Sequence, residues 1–265
     1  MDLMQFSDRV KVEDSKYEKL MMNKVAFFDI ETTGFNKDKD YIILISFGYF
    51  NEKNNFTIKQ YFSESISDES KVLLDFSKDL LGFNTWCSYN GIAFDAPFIE
   101  RRMKVNQIPF KEPQNHIDLY RMIRPYYKQL GLERCNLKTI EKYIGVSRED
   151  KIDGGESIEL FWQYIKFKDN KVKDKIMLHN YEDVLNLPKI YEFAYDLTMN
   201  SDIKRSDLIS DKQLGYLRAL IKRNNISLNA DINKISKKSA SKVIDSILKG
   251  NDDSVFLENI INNSY

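Results

Sequence analysis

The sequence of Lys24–Phe35, KVAFFDIETTGF, determines how the rest of the chain is interpreted. It begins as a short apolar run typical of a strand, which ends in acidic residues. On a strand, residues two apart point to the same side, so Asp29 and Glu31 face one way. Two carboxylates this close repel each other unless a cation lies between them. Thr32 and Gly34 follow and would let the backbone approach a ligand closely. The stretch predicts paired carboxylates that bind a cation, or else an ordinary acidic pair at a strand end.

Downstream of this strand, strand patterns come first and then alternate with helical patterns. This order is typical of an α/β fold, with a mixed central sheet and helices on its faces. The turn-forming residues after Thr32 predict that the first two strands are a hairpin or adjacent in the sheet. The predicted strands are 24–30, 41–50, 56–62, 83–89 and 115–119. The predicted helices are 68–81, 96–105, two or three within 137–175, one long helix at 175–198 that contains Pro188, and shorter ones at 210–223 and 238–249.

Composition excludes several classes of protein. The 265 residues include 42% hydrophobic and 13% aromatic residues, with 40 basic and 40 acidic side chains, which argues against disorder. Two cysteines and no C-x-x-C pattern exclude a disulfide framework and a cysteine-based zinc site. The charged N-terminus predicts no signal peptide, and the apolar runs are far shorter than a membrane helix needs. We therefore expect a cytoplasmic protein without a membrane partner.

The net charge of zero is a sum of unlike parts. Residues 204–249 contain eleven basic and four acidic side chains, whereas the rest of the chain is acidic. This change predicts a larger domain at 20–198 and a small basic helical domain at 204–265, with a capping box that begins at Ser210. Its basic surface would neutralise phosphates without reading bases, so it is a candidate nucleic-acid-binding domain. The alternative is a solvated pair of helices with ordinary lysines.

Two further acidic sites follow the first. Asp95 lies after a predicted strand and opens the next helix, where it is either a ligand or a plain N-cap. Asn90, in the turn before it, either contacts substrate or ends the strand. His179 and Asp183 stand at i and i+4 on a predicted helix, as a general base beside a carboxylate or as a surface pair. Together the three sites predict convergence on a pair of divalent ions.

These segments resemble the motifs of a known family. FFDIETTGF (27–35), YNGIAFDAPFI (89–99) and HNYEDV (179–184) resemble, in order, the three motifs of the DEDD 3′–5′ exonucleases, which have a ribonuclease H-like fold. The stretches NHIDLYRMIRPYY (115–127) and CNLKTIEKYIGVSREDKIDGGESIELFWQYI (135–165) are similar to the YprB-like branch of predicted exonucleases. The resemblance covers roughly residues 20–195.

The resemblance implies a ribonuclease H-like domain that acts on DNA or RNA, at a single-stranded 3′ end. It implies that four carboxylates bind two Mg²⁺ or Mn²⁺ ions: Asp29, Glu31, Asp95 and Asp183. It also implies that His179 activates the attacking water, and Asn90, Thr32 and Gly34 are the candidate substrate contacts. In the family a histidine usually stands five residues before the last Asp, and a tyrosine four before; here His179 is four before Asp183. Tyr181 is the weaker alternative, because it lies on the far side of the helix.

Two other functions stay open at this stage. One is a structure-selective endonuclease of the same fold, and the other is a non-catalytic protein that binds nucleic acid. The complete set of four carboxylates with His179 argues against the second. No motif reports contacts to the 2′-hydroxyl, so the sequence does not distinguish DNA from RNA.

Overall fold

Six strands form one sheet at the centre of the larger part of the chain. The structure is a computed structural model, and it describes residues 1–8, 10, 12–52, 54–200 and 202–262. In these residues the strands are β1 (Asp2–Asp8), β2 (Val25–Thr32), β3 (Ile42–Phe50), β4 (Phe56–Phe62), β5 (Thr85–Ser88) and β6 (Asn115–Asp118). The α-helices are α1 (Asp14–Lys19), α2 (Glu69–Leu80), α3 (Asp95–Val105), α4 (Leu119–Ile123), α5 (Leu137–Tyr143), α6 (Gly154–Phe167), α7 (Asn170–Leu185), α8 (Leu187–Met199), α9 (Asp211–Arg223), α10 (Lys237–Leu248) and α11 (Ser254–Asn262).

The sheet is mixed, with the strand order β1-β4-β3-β2-β5-β6. β1, β4, β3 and β2 are antiparallel to their neighbours, whereas β2, β5 and β6 run parallel. β2 and β3 are adjacent and antiparallel, as the turn residues between their apolar runs predicted. The predicted α/β class with a mixed sheet flanked by helices is therefore confirmed.

Helices cover both faces of the sheet. Ala26, Phe28 and Ile30 of β2 lie in a buried apolar cluster with side chains of α2 and α3. A second cluster joins β3 and β4 to α6 and α7. Because side chains alternate along a strand, Asp29 and Glu31 face the side that α6 and α7 cover. The alternation thus directs the acidic pair of β2 toward the later helices.

Two departures from the predicted secondary structure have clear physical reasons. β1 was not predicted, because Asp2, Gln5 and Ser7 give it a polar pattern; it lies at the sheet edge, where one side of a strand faces solvent. The single helix predicted at 175–198 is two helices, α7 and α8, which are separated at Asn186. Pro188 has no N–H to continue the helical hydrogen bonds, and its ring crowds the carbonyl of Val184.

Among the helices in the described residues, none combines the length and apolar character that crossing a membrane requires.

The chain divides into two structural units. The first comprises residues 1–120 and 135–196, and the second comprises 121–134 and 197–265. The first unit has 25 basic and 31 acidic residues, whereas the second has 15 basic and nine acidic, so they carry net charges of −6 and +6. In the second unit, α9, α10 and α11 enclose an apolar core of their own. α9 begins with the predicted capping box, in which Ser210 and Gln213 exchange hydrogen bonds of 3.3 Å.

Candidate active site

β2 continues beyond its last residue pair with the parallel strand β5. The parallel pairing of β2 and β5 stops at Phe27 and Cys87. Beyond that point the backbone N–H of Ile30 donates to Asp95 Oδ1 at 3.2 Å. The pairing of β2 with β3 also shifts register between Glu31 and Thr32, which is a common device for directing side chains at a site.

Asp95 uses its carboxylate to reach β2. It is the first residue of α3 and is buried, and the N-cap residue Phe94 makes no side-chain hydrogen bond to the helix. The interpretation of Asp95 as a plain N-cap is therefore wrong: its side chain replaces a missing strand contact beside Asp29 and Glu31.

α7 supplies the other half of the cluster. His179 Nε2 lies 3.6 Å from Glu31 Oε1 and 3.5 Å from Asp183 Oδ2, and ligand atoms of these three residues lie within 4.8 Å of one another. Asn180 Nδ2 donates to Asp29 Oδ2 at 2.6 Å. Tyr181 instead packs edge-on against Phe6, with ring centroids 5.2 Å apart. The structure thus brings His179 to the carboxylates and turns Tyr181 elsewhere.

Glu31, Asp95 and Asp29 have raised pKa values. Burial is the largest cause for Glu31, whose pKa rises to about 7 although His179 and Ser157 oppose the shift. Burial also raises the pKa of Asp95 to about 7, against the effect of its backbone hydrogen bonds and with reinforcement by the charges of Asp118 and Asp183. Asp29 is partly exposed, and loss of hydration together with the charges of Asp95, Asp183 and Glu31 raises its pKa well above the usual value.

A loop before α6 contacts the cluster through Asp150 and Arg148. His179 Nδ1 lies 2.8 Å from Asp150 Oδ2, on the opposite edge of the ring from Nε2. Arg148 donates to Asp183, to both oxygens of Glu141 at 3.0–3.1 Å and to the His179 carbonyl at 3.0 Å. Burial would raise the pKa of Asp150, but its hydrogen bonds with His179 and Lys138 outweigh burial and lower the pKa to about 2.

The donor set fits hard divalent cations. Mg²⁺ and Mn²⁺ prefer oxygen ligands, and carboxylates this close together repel one another unless positive charge is added. Asn180 Oδ1 is buried and has no hydrogen-bond partner among the described residues, beside Asp29. Asp29, Glu31, Asp95 and Asp183 are therefore the residues that would bind such ions.

The three residues predicted to contact substrate all make contacts within the fold itself. Thr32 is buried, and its hydroxyl donates to the carbonyl of Gly34 at 2.6 Å. A Cβ on Gly34 would lie 2.5 Å from Asp40 Oδ2, so a larger residue would displace the Asp40 side chain from the turn. Asn90 has a positive φ of 67°, and its backbone N–H donates to Asp118 Oδ1 at 2.9 Å. Contacts within the fold thus explain each of the three residues, and its contact with substrate stays a prediction.

Sequence reasoning missed the residues that hold the side chains of the cluster in place. Arg148, Asp150 and Ser157 lie in the stretch 135–165 that carries part of the family resemblance, yet nothing in their spacing links them to β2 or α7. Ser157 Oγ donates to Glu31 Oε2 across 126 residues of chain. Asn180 was detectable, because it adjoins His179 in the same motif. A polar residue next to a candidate base is the signal that would have found it.

Comparison with known proteins identifies the fold family. The family model of the RNase_H superfamily matches residues 26–195. The chain is similar to the uncharacterized protein YprB of Bacillus subtilis (strain 168), with 27% identity over 172 residues, which is 64% of this chain and 41% of YprB. Among solved structures it is similar to the family B DNA polymerase of Pyrobaculum calidifontis, with 18% identity and a TM-score of 0.50 over 65% of this chain and 24% of the polymerase. It is also similar to Brucella melitensis NrnC bound to pGG, with 12% identity and a TM-score of 0.42 over 88% of this chain and 85% of NrnC.

The family model and the likeness to the polymerase bear on the fold. The chain spans about two fifths of the length of YprB and about a quarter of the polymerase. The expected ribonuclease H-like fold and the expected similarity to YprB are both confirmed. Since the family match covers more than half of its residues, the chain belongs to the RNase_H superfamily.

Proposed function

We propose that the first unit is a metal-dependent 3′–5′ exonuclease that hydrolyses phosphodiester bonds of DNA or RNA. The observation that carries this proposal is the convergence of Asp29, Glu31, Asp95 and Asp183 with His179 at the end of β2. Two Mg²⁺ or Mn²⁺ ions bound there would offset the charge that develops on the attacking and leaving oxygens and lower the pKa of water. Membership in the RNase_H superfamily supports hydrolytic nuclease chemistry.

The protein residues have distinct roles in this proposal. The four carboxylates bind the ions, and His179 Nε2 accepts a proton from the attacking water as general base. Thr32, Gly34 and Asn90 contact the substrate through their turn backbones, since Thr32 uses its hydroxyl within the turn. Phe35 is 80% exposed and packs edge-on against Phe94, so it offers an aromatic face to an unstacked base at a single-stranded 3′ end.

A nuclease assay tests the proposal directly. End-labelled single-stranded DNA, duplex DNA and RNA are incubated with Mg²⁺ or Mn²⁺, and with EDTA as the control. We expect a ladder that shortens from the 3′ end only when metal is present. Internal cuts would assign the protein to the endonucleases, and binding without cleavage would make it a non-catalytic nucleic-acid-binding protein.

Metal binding should depend on pH. The pKa values of Glu31 and Asp95 in the folded protein are about 7, above the ordinary values of 4.5 and 3.8. Between these values the folded state keeps protons that the unfolded state releases, so the metal-free protein loses stability as pH rises toward 7. Metal must displace those protons, so its Kd rises as the pH falls. Mg²⁺ at one fixed concentration, 100 times its Kd at about pH 8, should raise the Tm by roughly 5–10 °C at that pH and by less at about pH 6.

Thermal melts with MgCl₂, and with NaCl at matched ionic strength, measure this difference. Equal shifts at the two pH values would contradict the role of Glu31 and Asp95 as ligands. A shift of the same size with NaCl would show that ionic strength alone is responsible.

The second unit is proposed to bind nucleic-acid phosphates. Lys238 and Lys242 are exposed, one turn apart on α10. Reversing both charges with Lys238→Glu and Lys242→Glu should weaken binding of a single-stranded oligonucleotide about tenfold at low salt. The slope of log Kd against log salt should become shallower by about one for each phosphate that the variant no longer binds.

A matched pair of lysines controls for overall charge. Lys171 and Lys175 have the same spacing and are also exposed, but they lie on α7 in the first unit. Lys171→Glu with Lys175→Glu makes the same change in net charge, and we expect it to leave the salt slope nearly unchanged. Equal effects of the two double variants, measured by fluorescence anisotropy, would argue against a specific role for the second unit.

A further inference from the structure

We infer that Asp150 is a positioning residue that fixes the imidazole of His179 with Nδ1 protonated and Nε2 free to accept a proton. The inference rests on the proposed nuclease function and names a residue of its machinery. It follows from the two edges of the ring, which face different surroundings. Nδ1 lies 2.8 Å from Asp150 Oδ2, whereas Nε2 faces Glu31 and Asp183.

The contact between Asp150 and His179 is sheltered from water. The side chains of Asp150 and His179 are 2% and 4% exposed, so solvent does not compete for the hydrogen bond. A neutral imidazole has one N–H and one lone pair, and the partner of one nitrogen decides the state of the other. A carboxylate only accepts hydrogen bonds. Asp150 lies within hydrogen-bond distance of Nδ1 at 2.8 Å, whereas the carboxylates that face Nε2 lie at 3.5 and 3.6 Å, so the proton is on Nδ1 and the lone pair on Nε2.

Asp150 is itself held in place. Its Oδ1 accepts the backbone N–H of Ile152 at 2.9 Å, while Oδ2 lies 3.0 Å from Lys138 Nζ and 3.1 Å from Arg148 Nη2. Its own backbone N–H donates to Glu182 of α7 at 2.9 Å. These contacts keep the carboxylate ionised and prevent it from turning away from the ring. The loop therefore supplies an orienting group that α7 alone does not have.

This arrangement has a defined chemical consequence. In the proposed hydrolysis the water oxygen bonds to phosphorus while its proton moves to Nε2, and the P–O3′ bond breaks. The products are a nucleoside 5′-phosphate and a shortened chain, whose 3′-oxygen takes a proton from solvent. The imidazolium then returns its proton to solvent. Asp150 stabilises this imidazolium through the Nδ1–H and keeps Nε2 directed at the site throughout.

Asp150→Asn tests the inference with little change in shape. The introduced side-chain amide would donate to Nδ1 of His179, which forces the remaining proton onto Nε2 and removes the base. The chain has two histidines, so ¹⁵N-histidine NMR of the metal-free protein gives two ring systems, and His179→Gln assigns them. At about pH 8.5 we expect the Nδ1–H tautomer of His179 in the wild type and the Nε2–H tautomer in Asp150→Asn.

Kinetics provide a second readout. Asp150→Asn should lower kcat by about 10²–10⁴-fold with little change in KM, as loss of a general base does. Combined with His179→Ala it should cost nothing further, because a residue that acts through another shows no additional loss. Asp153→Asn is the matched control: Asp153 lies three residues after Asp150 and also faces Lys138, at 3.8 Å, but its side chain is 88% exposed. It should keep full activity.

Three outcomes would overturn the inference. They are an Nε2–H tautomer in the wild type, an unchanged tautomer in Asp150→Asn, and a loss of kcat in Asp150→Asn that adds to that of His179→Ala. Absence of any nuclease activity in the wild type would refute the proposed function instead. In that case the NMR result still decides whether Asp150 orients the ring.

Discussion

Asp29→Asn is expected to abolish metal-dependent hydrolysis and, at the same time, to make the metal-free protein more stable. The carboxylate of Asp29 has a raised pKa because hydration is lost and because Asp95, Asp183 and Glu31 repel its charge. Asn keeps an oxygen that accepts the hydrogen bond from Asn180 but carries no charge. Metal binding needs that charge, so kcat should fall by at least about 10³-fold, which corresponds to roughly 4 kcal/mol.

The gain in stability has the same physical cause. Removing the charge of Asp29 should raise the free energy of unfolding at neutral pH, because the folded state no longer has to desolvate that charge beside Asp95, Asp183 and Glu31. Mg²⁺ should then raise the Tm of the variant little or not at all. Chemical denaturation with EDTA and thermal melts with Mg²⁺ measure the two effects separately.

Asp118→Asn is the contrasting control. Asp118 is fully buried, and its oxygens accept the backbone N–H groups of Asn90 and Ile92 at 2.9 and 3.3 Å. An amide in its place can accept fewer hydrogen bonds, so this variant should be destabilised by about 1–3 kcal/mol. If Asp29→Asn kept its activity, or became less stable as Asp118→Asn does, Asp29 would not be a metal ligand.

The sequence predicted those parts of the fold and site that depend on local pattern. Alternation along β2 placed Asp29 and Glu31 on one face, and helical spacing placed His179 beside Asp183; both geometries are present. These relations need only the residue period of a strand or a helix, so they can be read without knowing the tertiary structure.

The remaining features arise from contacts between distant segments. Asp150 meets His179 across 29 residues, from a loop that has no periodicity. Gly34 was interpreted as a ligand-binding glycine, although the side chain of Asp40 is sufficient reason for it. β1 is a strand because β4 offers it a free edge, and its own residues give little indication of this. In each case a partner elsewhere in the chain determines the structure.

Arg148→Met is expected to destabilise the first unit by about 3–5 kcal/mol, the usual cost of removing one partner from a buried ionic cluster. The Arg148 side chain is 7% exposed and contacts five acceptors: Glu141, Asp150, Glu182, Asp183 and the carbonyl of His179. Met fills much of the same volume, so the destabilisation comes from carboxylates that stay buried without their cation.

The pH dependence distinguishes this cause from a simple packing defect. Burial already raises the pKa of Glu141, and Arg148 opposes that rise, so removing Arg148 should raise the pKa further. A carboxyl whose folded pKa is raised is stabilising below its unfolded pKa and loses that stability as pH rises. The free energy of unfolding that Arg148→Met loses should therefore be larger at about pH 8 than at about pH 5. The loss from a packing defect would be nearly independent of pH.

A variant of a second buried arginine, Arg102, distinguishes an effect on stability from an effect on the geometry of the site. Arg102 pairs with both oxygens of Glu69, at 2.8 and 2.6 Å, and Glu69 is not one of the four carboxylates of the cluster. Arg102→Met should cost stability by a similar mechanism, yet the folded variant should keep its Tm response to Mg²⁺ and its kcat. Arg148→Met should have a lower kcat even at temperatures where it is fully folded, because Asp183 and Asp150 lose the group that holds both. Equal kcat in the two variants at low temperature would mean that Arg148 stabilises the fold without positioning the site.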